Sequence, residues 1–236
     1  MPVPPPYRIA PEVFAAHPGY CRGVLIVDGA DNRGTHPALT QALREAEAQV
    51  RERITGNVAE HPRIVAWREA YRRFGAKPSE HRSSIEAMAR RVLQPGGALP
   101  SINPLVDIGN VLSLRHLLPA GVHPLPEGPQ ALELRPARAG DRFVPPGGGE
   151  AEAPPPGEIV FTHGAEVLTR RWTWRQAAGT QTLPETARVF FNIDGLVPAS
   201  RAEVEQVMAE LRQWIVSTVG GEVRAAAVLD AAMPAL

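Results

Sequence analysis

Cysteine, lysine and long apolar runs are almost missing from this 236-residue chain. The one cysteine, Cys21, allows no intramolecular disulfide, so a reducing cytoplasm is the expected compartment. No apolar run approaches the roughly 20 residues that a membrane-spanning helix needs, and no membrane partner is expected. The opening MPVPPPYRIAPEVF lacks a basic segment followed by an apolar one, so it does not read as a signal peptide. Net charge is zero, with 25 Lys and Arg against 25 Asp and Glu, and gives no global field for nucleic acid. The usual catalytic signatures are also missing: no G-x-S-x-G elbow, no phosphate loop, no G-x-G-x-x-G and no H-E-x-x-H. The seven histidines form no i, i+4 pair, so neither a metal nor a cofactor is expected.

What remains is the composition of a globular protein, 44% hydrophobic and 21% charged, long enough to bury a core without staples. PVPPP at the N-terminus is expected to be extended. RGVLIVDG, residues 22–29, is an apolar run between glycines and reads as a buried strand. Three helices follow. THPALTQALREAEAQVRERI starts with Thr35 as the expected cap. HPRIVAWREAYRRFG spaces Ile64, Trp67, Tyr71 and Phe74 at three or four residues and stops at Gly75. SEHRSSIEAMARRVLQPGG turns Ile85, Met88, Val92 and Leu93 inward. Residues 61–91 hold eight basic side chains against three acidic ones, among them Arg72, Arg73 and Arg82, a local electrostatic footprint in a neutral chain.

Beyond residue 120 the pattern changes to strands: ALELRPA, EIVF, EVLTRRWTWRQ and ARVFFNIDG, separated by Gly/Pro loops. The longest loop, PPGGGEAEAPPPGE, is low in complexity and expected to be mobile. SRAEVEQVMAELRQWIVSTVGG carries Ser200 and Glu203 as a capping box and ends at Gly220. EVRAAAVLDA reads as a last strand. The expected class is α+β: N-terminal helices over about 35–118, a mostly antiparallel sheet-rich part over about 130–195, and a C-terminal helix over about 200–217. Residues 1–20 are expected to be an extended segment and 21–236 a single domain.

Two stretches carry candidate chemistry. In LPSINPLVDIGNVLSLRHLLP, Asn103, Asp107 and Asn110 fall at i, i+4 and i+7, one stripe on an otherwise apolar helix. Asn103 before Pro104 suits a helix cap. Asp107 and Asn110 lie deeper; buried, each needs hydrogen-bond partners. They either tie a neighbouring loop or line a polar pocket. In TRRWTWRQ, a period of two puts Trp172 and Trp174 on one face and Arg171, Thr173 and Arg175 on the other. The tryptophans are either core or a stacking platform for a base, with Arg175 beside a phosphate.

Together these segments resemble the tRNA-binding B3/B4 domain of phenylalanyl-tRNA synthetase β subunits. Ile102, Asn103, Val106, Asp107 and Asn110 match the family's Ile-Asn-x-x-Val-Asp-x-x-Asn pattern, and LELRPARAGDRF follows as a strand and turn. The free-standing members are similar also in YRRFG…HRSSIEAMARRVL and in RRWTWRQ. The likeness spans roughly residues 65–215. It implies a B3/B4-like mixed fold with a pocket between two sub-blocks, and an editing activity that hydrolyses the ester of misacylated aminoacyl-tRNA in trans, by water attack without metal or covalent nucleophile. The partner implied is tRNA with its aminoacylated 3′ end. The residues implied are Asn110, Asp107 and His123 as catalytic, and Asn103, Gly109, Trp172, Trp174 and Arg175 as substrate-binding; Arg72, Arg73 and Arg82 are expected to contact tRNA. Gly109 departs from the Thr that many synthetases carry there, and both His116 and His123 lie near the family's pocket His. The synthetase's ATP-binding domain has no counterpart, so aminoacylation is not expected. The alternatives are a non-catalytic tRNA- or amino-acid-binding module with the same fold, and a small-molecule amide or ester hydrolase.

Overall fold

The computed structural model describes residues 4–236. Its architecture is α+β, with nine strands in two sheets and six α-helices among the described residues. One sheet runs β1 (Tyr7–Ile9), β4 (Leu132–Pro136), β5 (Ile159–His163), β6 (Glu166–Arg170) and β7 (Arg175–Gln176). The other runs β3 (Ala120–Pro124), β8 (Val189–Gly195), β2 (Cys21–Asp28) and β9 (Glu222–Leu229). Every pairing is antiparallel except β1 with β4. Strand β2 is central in its sheet and buried along its whole length, as an apolar run between glycines should be.

The helices are α1 (Pro11–Ala16), α2 (Pro37–Arg53), α3 (Pro62–Arg73), α4 (Ser84–Val92), α5 (Pro104–His116) and α6 (Arg201–Trp214). Local capping sets their ends. Asn103 Oδ1 accepts the Val106 N–H at 3.0 Å and Pro104 opens α5, so the cap expected there is present. Ser200 and Glu203 form the capping box of α6. Thr35 does not cap α2: His36 holds that position without a side-chain bond, because Pro37 already supplies the first helical residue. Helix α6 lies so close over β2 that a Cβ on Gly23 would stand 2.6 Å from Met208 Sδ. One core runs from Tyr7 to Leu229 and joins both sheets with α2–α6.

Three expectations need correction. The strands form two sheets and are not confined to residues 130–195: β1, β2, β3 and β9 lie outside that range. Residues 1–20 are not wholly extended: Pro11–Ala16 are helical, with Val13 and Phe14 buried, and Tyr7–Ile9 join a sheet. Of PVPPP, residues 2 and 3 lie outside the described residues. The long loop is anchored: Phe143 and Glu152 exchange backbone bonds at 2.8 and 2.7 Å, and Glu152 and Glu158 both pair with Arg170. At the chain's other end, Pro234 and Leu236 accept the Ile9 and Tyr7 N–H groups, and Leu236 N–H bonds back to Tyr7 O.

Candidate functional site

A cavity of about 210 Å³ opens between the two sheets, where α4 and α5 meet the turn between β6 and β7. Asn110 enters from α5, His123 from β3, Arg22 from β2, Asn192 and Asp194 from β8, and Trp172–Gln176 from the turn. The apolar walls include Phe161, Val106 and Met88.

The floor is a buried ionic network that the sequence did not announce. Arg22 is 1% exposed and meets Asp194 at 2.8 Å through both Nε and Nη2. Its Nη1 donates to Tyr7 Oη at 2.9 Å, and Tyr7 donates on to Asn192 Oδ1 at 2.7 Å. Tyr20 donates to Asp194, and Trp172 Nε1 donates to Tyr20 at 3.4 Å. Burial raises the phenol pKa of both tyrosines, so they stay protonated donors. Among the described residues Asp194 is the only acid on the cavity wall, and Arg22 and Tyr20 already occupy it.

His123 stacks on Phe190, with centroids 5.1 Å apart. Its Nε2 lies 3.3 Å from Gln176 Nε2 and 3.5 Å from Thr169 Oγ1. Burial, helped by the Arg22 charge, lowers its pKa to about 3. A general acid or base works best with a pKa near the working pH. His123 is therefore a neutral hydrogen-bonding group at pH 7.

The Asn103–Asp107–Asn110 stripe separates into two jobs. Asn110 lines the cavity, and among the described residues its amide has no hydrogen-bond partner. Asp107 does not line it. It is 3% exposed, accepts the Ile102 N–H at 2.9 Å and the Ser101 hydroxyl, and so ties down the loop that enters α5. The catalytic placement expected for Asp107 is thus corrected to loop fixation. Asn103 also stays outside the cavity: besides capping, it donates to Thr182 O at 2.9 Å. Gly109 does face the cavity. A Cβ there would sit 3.2 Å from Ala120 O, so the bare backbone lets α5 close on β3.

The RRWTWRQ stretch is a tight turn and not one continuous strand. Arg171 and Trp172 have positive φ (46° and 63°), and Thr173 N–H bonds Arg171 O at 2.6 Å. The expected period of two, with Trp172 and Trp174 on one face and Arg171, Thr173 and Arg175 on the other, therefore fails. Trp172 is 2% exposed, wedged edge-on against Trp67, Tyr20 and His17. Trp174 is half-buried, with the Arg171 and Arg175 guanidinium groups 4.4 and 5.6 Å from its ring centroid. Arg175 is exposed at the rim. Arg170 holds the turn through a paired contact with Glu158, at 2.9 and 2.8 Å.

A family model described as the B3/4 domain matches residues 66–212, which include α4, α5 and the whole turn. This chain belongs to the B3/4 domain family. Among solved structures, an N-terminal fragment of the phenylalanyl-tRNA synthetase β subunit from Pyrococcus horikoshii is similar at 10% identity and a TM-score of 0.43. The match covers 94% of this chain and 49% of that one, so this B3/4 chain spans about half its length. No curated protein matches.

The basic segment of this B3/4 domain is partly neutralised from within. Buried Glu86 gathers Arg68 and Arg90 at 2.8 and 2.9 Å, with Arg82 at 4.0 Å. Arg72 is exposed and pairs with Glu69. Arg73, also exposed, donates to Ala16 O at the end of α1. None of Arg72, Arg73 and Arg82 lines the cavity. The cavity groups that sequence reasoning missed are Arg22, Gln176, Thr173, Asn192 and Asp194. Charged Arg22 and Asp194 inside apolar strand patterns were the available signal. Among the described residues no cluster of His, Cys, Asp or Glu could hold a metal, and no helix is long and apolar enough to cross a membrane.

Proposed function

We propose that this B3/4 domain takes the aminoacylated 3′ end of tRNA into its cavity and hydrolyses the ester of misacylated aminoacyl-tRNA, in trans and in the cytoplasm. The observation that carries this reading is the meeting in one cavity of the unpartnered Asn110 amide with His123, Gln176 and Arg175, beside an apolar wall. Asn110 orients the ester or the attacking water. His123 and Gln176 add neutral hydrogen bonds. Arg175 and Trp174 hold the incoming nucleotide at the rim, by charge and by stacking. Such a site works by positioning and fixed dipoles rather than by a nucleophile. Residues 21–236 act as one domain in this reading, with the exposed Arg72 and Arg82 meeting the tRNA backbone.

The test is deacylation of a panel of misacylated tRNAs by the full chain and by Asn110→Ala. Turnover of at least one substrate, slowed in the variant, supports the proposal; no turnover of any substrate refutes hydrolysis. A second reading, aminoacyl binding without hydrolysis, is favoured by the lack of a free titratable base on the wall. Tight binding with no turnover would select it.

A further inference from the structure

A second cavity, of about 240 Å³, opens at the C-terminal end of α5. It shares no lining residue with the first one. Arg53 from α2, His61 and Arg63 at the start of α3, Arg115 and His116 at the end of α5, and Glu203 and Gln206 from α6 face it, so the wall carries one carboxylate. The charge there is uneven. Arg63 is neutralised by Glu203, and Arg115 and His116 share Glu210. Arg53 has no carboxylate partner among the described residues; it donates only to Gln49 O and Leu114 O, at 3.2 and 2.9 Å. Burial and the Arg63 charge lower the Arg53 pKa. Burial, then Arg63 and Arg53, lower that of His61.

We propose that this cavity is a binding site for a tetrahedral oxyanion of the phosphate class, held by Arg53, with His61 and Gln206 around it and Arg63 kept in place behind it by Glu203. Three observations converge: a concave space large enough for such an ion, one guanidinium with no carboxylate partner among the described residues, and a histidine on the same wall as two arginines. An arginine fork suits phosphate oxygens. The source is either a free phosphate or a phosphodiester of an RNA chain. The inference does not depend on hydrolysis in the first cavity, since the two share no residue.

The sign of the readout follows from the geometry. Burial is the larger cause of the lowered His61 pKa and the two arginine charges add to it; an anion between Arg53 and His61 offsets the charge part, so binding raises the His61 pKa. The experiment is NMR titration of His61 in the full chain, with and without inorganic phosphate at matched ionic strength. We expect saturable binding with a His61 pKa raised by about half a unit or more. Arg53→Gln should weaken binding tenfold or more. Gln206→Glu changes an exposed helix residue, leaves the fold intact, and adds to the Arg63-paired Glu203 a second carboxylate with no arginine to offset it, so it should weaken binding equally. A short single-stranded RNA that displaces phosphate assigns the site to RNA backbone; one that does not assigns it to a free phosphate. No His61 shift with phosphate, or a shift unchanged in both variants, overturns the proposal.

Discussion

Replacing Asp107 and Asn110 separately by alanine should split stability from activity, although both sit on one helix within one stripe. Asp107 is 3% exposed and accepts from Ile102 N–H and Ser101 Oγ. Losing a buried charged acceptor costs about 1.5–3 kcal/mol. Its place in the first turn of α5 adds about 0.3–1 kcal/mol of lost dipole interaction. Alanine's better helix propensity returns about 0.5 kcal/mol. The net for Asp107→Ala is a loss of about 1.3–3.5 kcal/mol, or roughly 3–14 °C in Tm at this size. Asn110→Ala removes no bond within the described chain, so its urea midpoint should move by less than about 0.5 kcal/mol equivalent. Its deacylation rate should fall by about 10–1000-fold, the scale for one positioned polar group. The assays are urea unfolding and single-turnover deacylation on both variants. A folded, fully stable Asp107→Ala protein that has lost its rate would refute the division drawn here. So would an Asn110→Ala protein that unfolds while its folded fraction keeps full rate.

Trp172→Ala should cost about 3–5 kcal/mol by denaturant unfolding, because it empties a buried aromatic cluster, whereas Trp174→Ala should stay near wild-type stability and lose RNA affinity. Asp194→Ala strands Arg22 as an unpaired buried cation and should cost about 3–5 kcal/mol; pairing it with Arg22→Met should regain part of that loss, which a double-mutant cycle measures. His17 and His123 are both buried, with pKa values lowered to about 4 and about 3, chiefly by desolvation. The unfolded chain therefore takes up protons below about pH 6.5 that the folded chain refuses. Stability should be full above that pH and fall as pH drops toward 4; His123→Gln should flatten the slope of urea midpoints against pH, and an unchanged slope would count against the assignment. If Arg72 and Arg82 meet phosphates, replacing both by alanine should flatten the dependence of tRNA affinity on salt, whereas Arg73→Ala should act mainly on the end of α1.

Strong local signals were legible in the sequence. The caps at Asn103 and Ser200, the buried run of β2 and the amphipathic faces of α3 and α4 each rest on neighbours within a few residues, and each appears in the structure. Long-range pairings were not legible. Whether Asp107 meets a loop or a cavity depends on where Ser101 and Ile102 turn, and periodicity cannot report that. The β6–β7 turn misled the strand reading because Arg171 and Trp172, with no glycine between them, adopt positive φ. The Arg22–Asp194 floor joins residues 172 positions apart, so only the folded sheet brings them together.

The ladder at the chain's last residues reaches further than its position suggests. Leu236 and Pro234 hold the backbone of β1, and the Tyr7 phenol from that strand bonds Arg22 and Asn192 beneath the cavity. Leu236→Pro, which removes the N–H bonded to Tyr7 O, would loosen the strand that positions Tyr7. A purification handle or a fluorescent reporter is therefore best inserted among Gly147–Gly149, whose backbone is exposed and whose loop is pinned on either side.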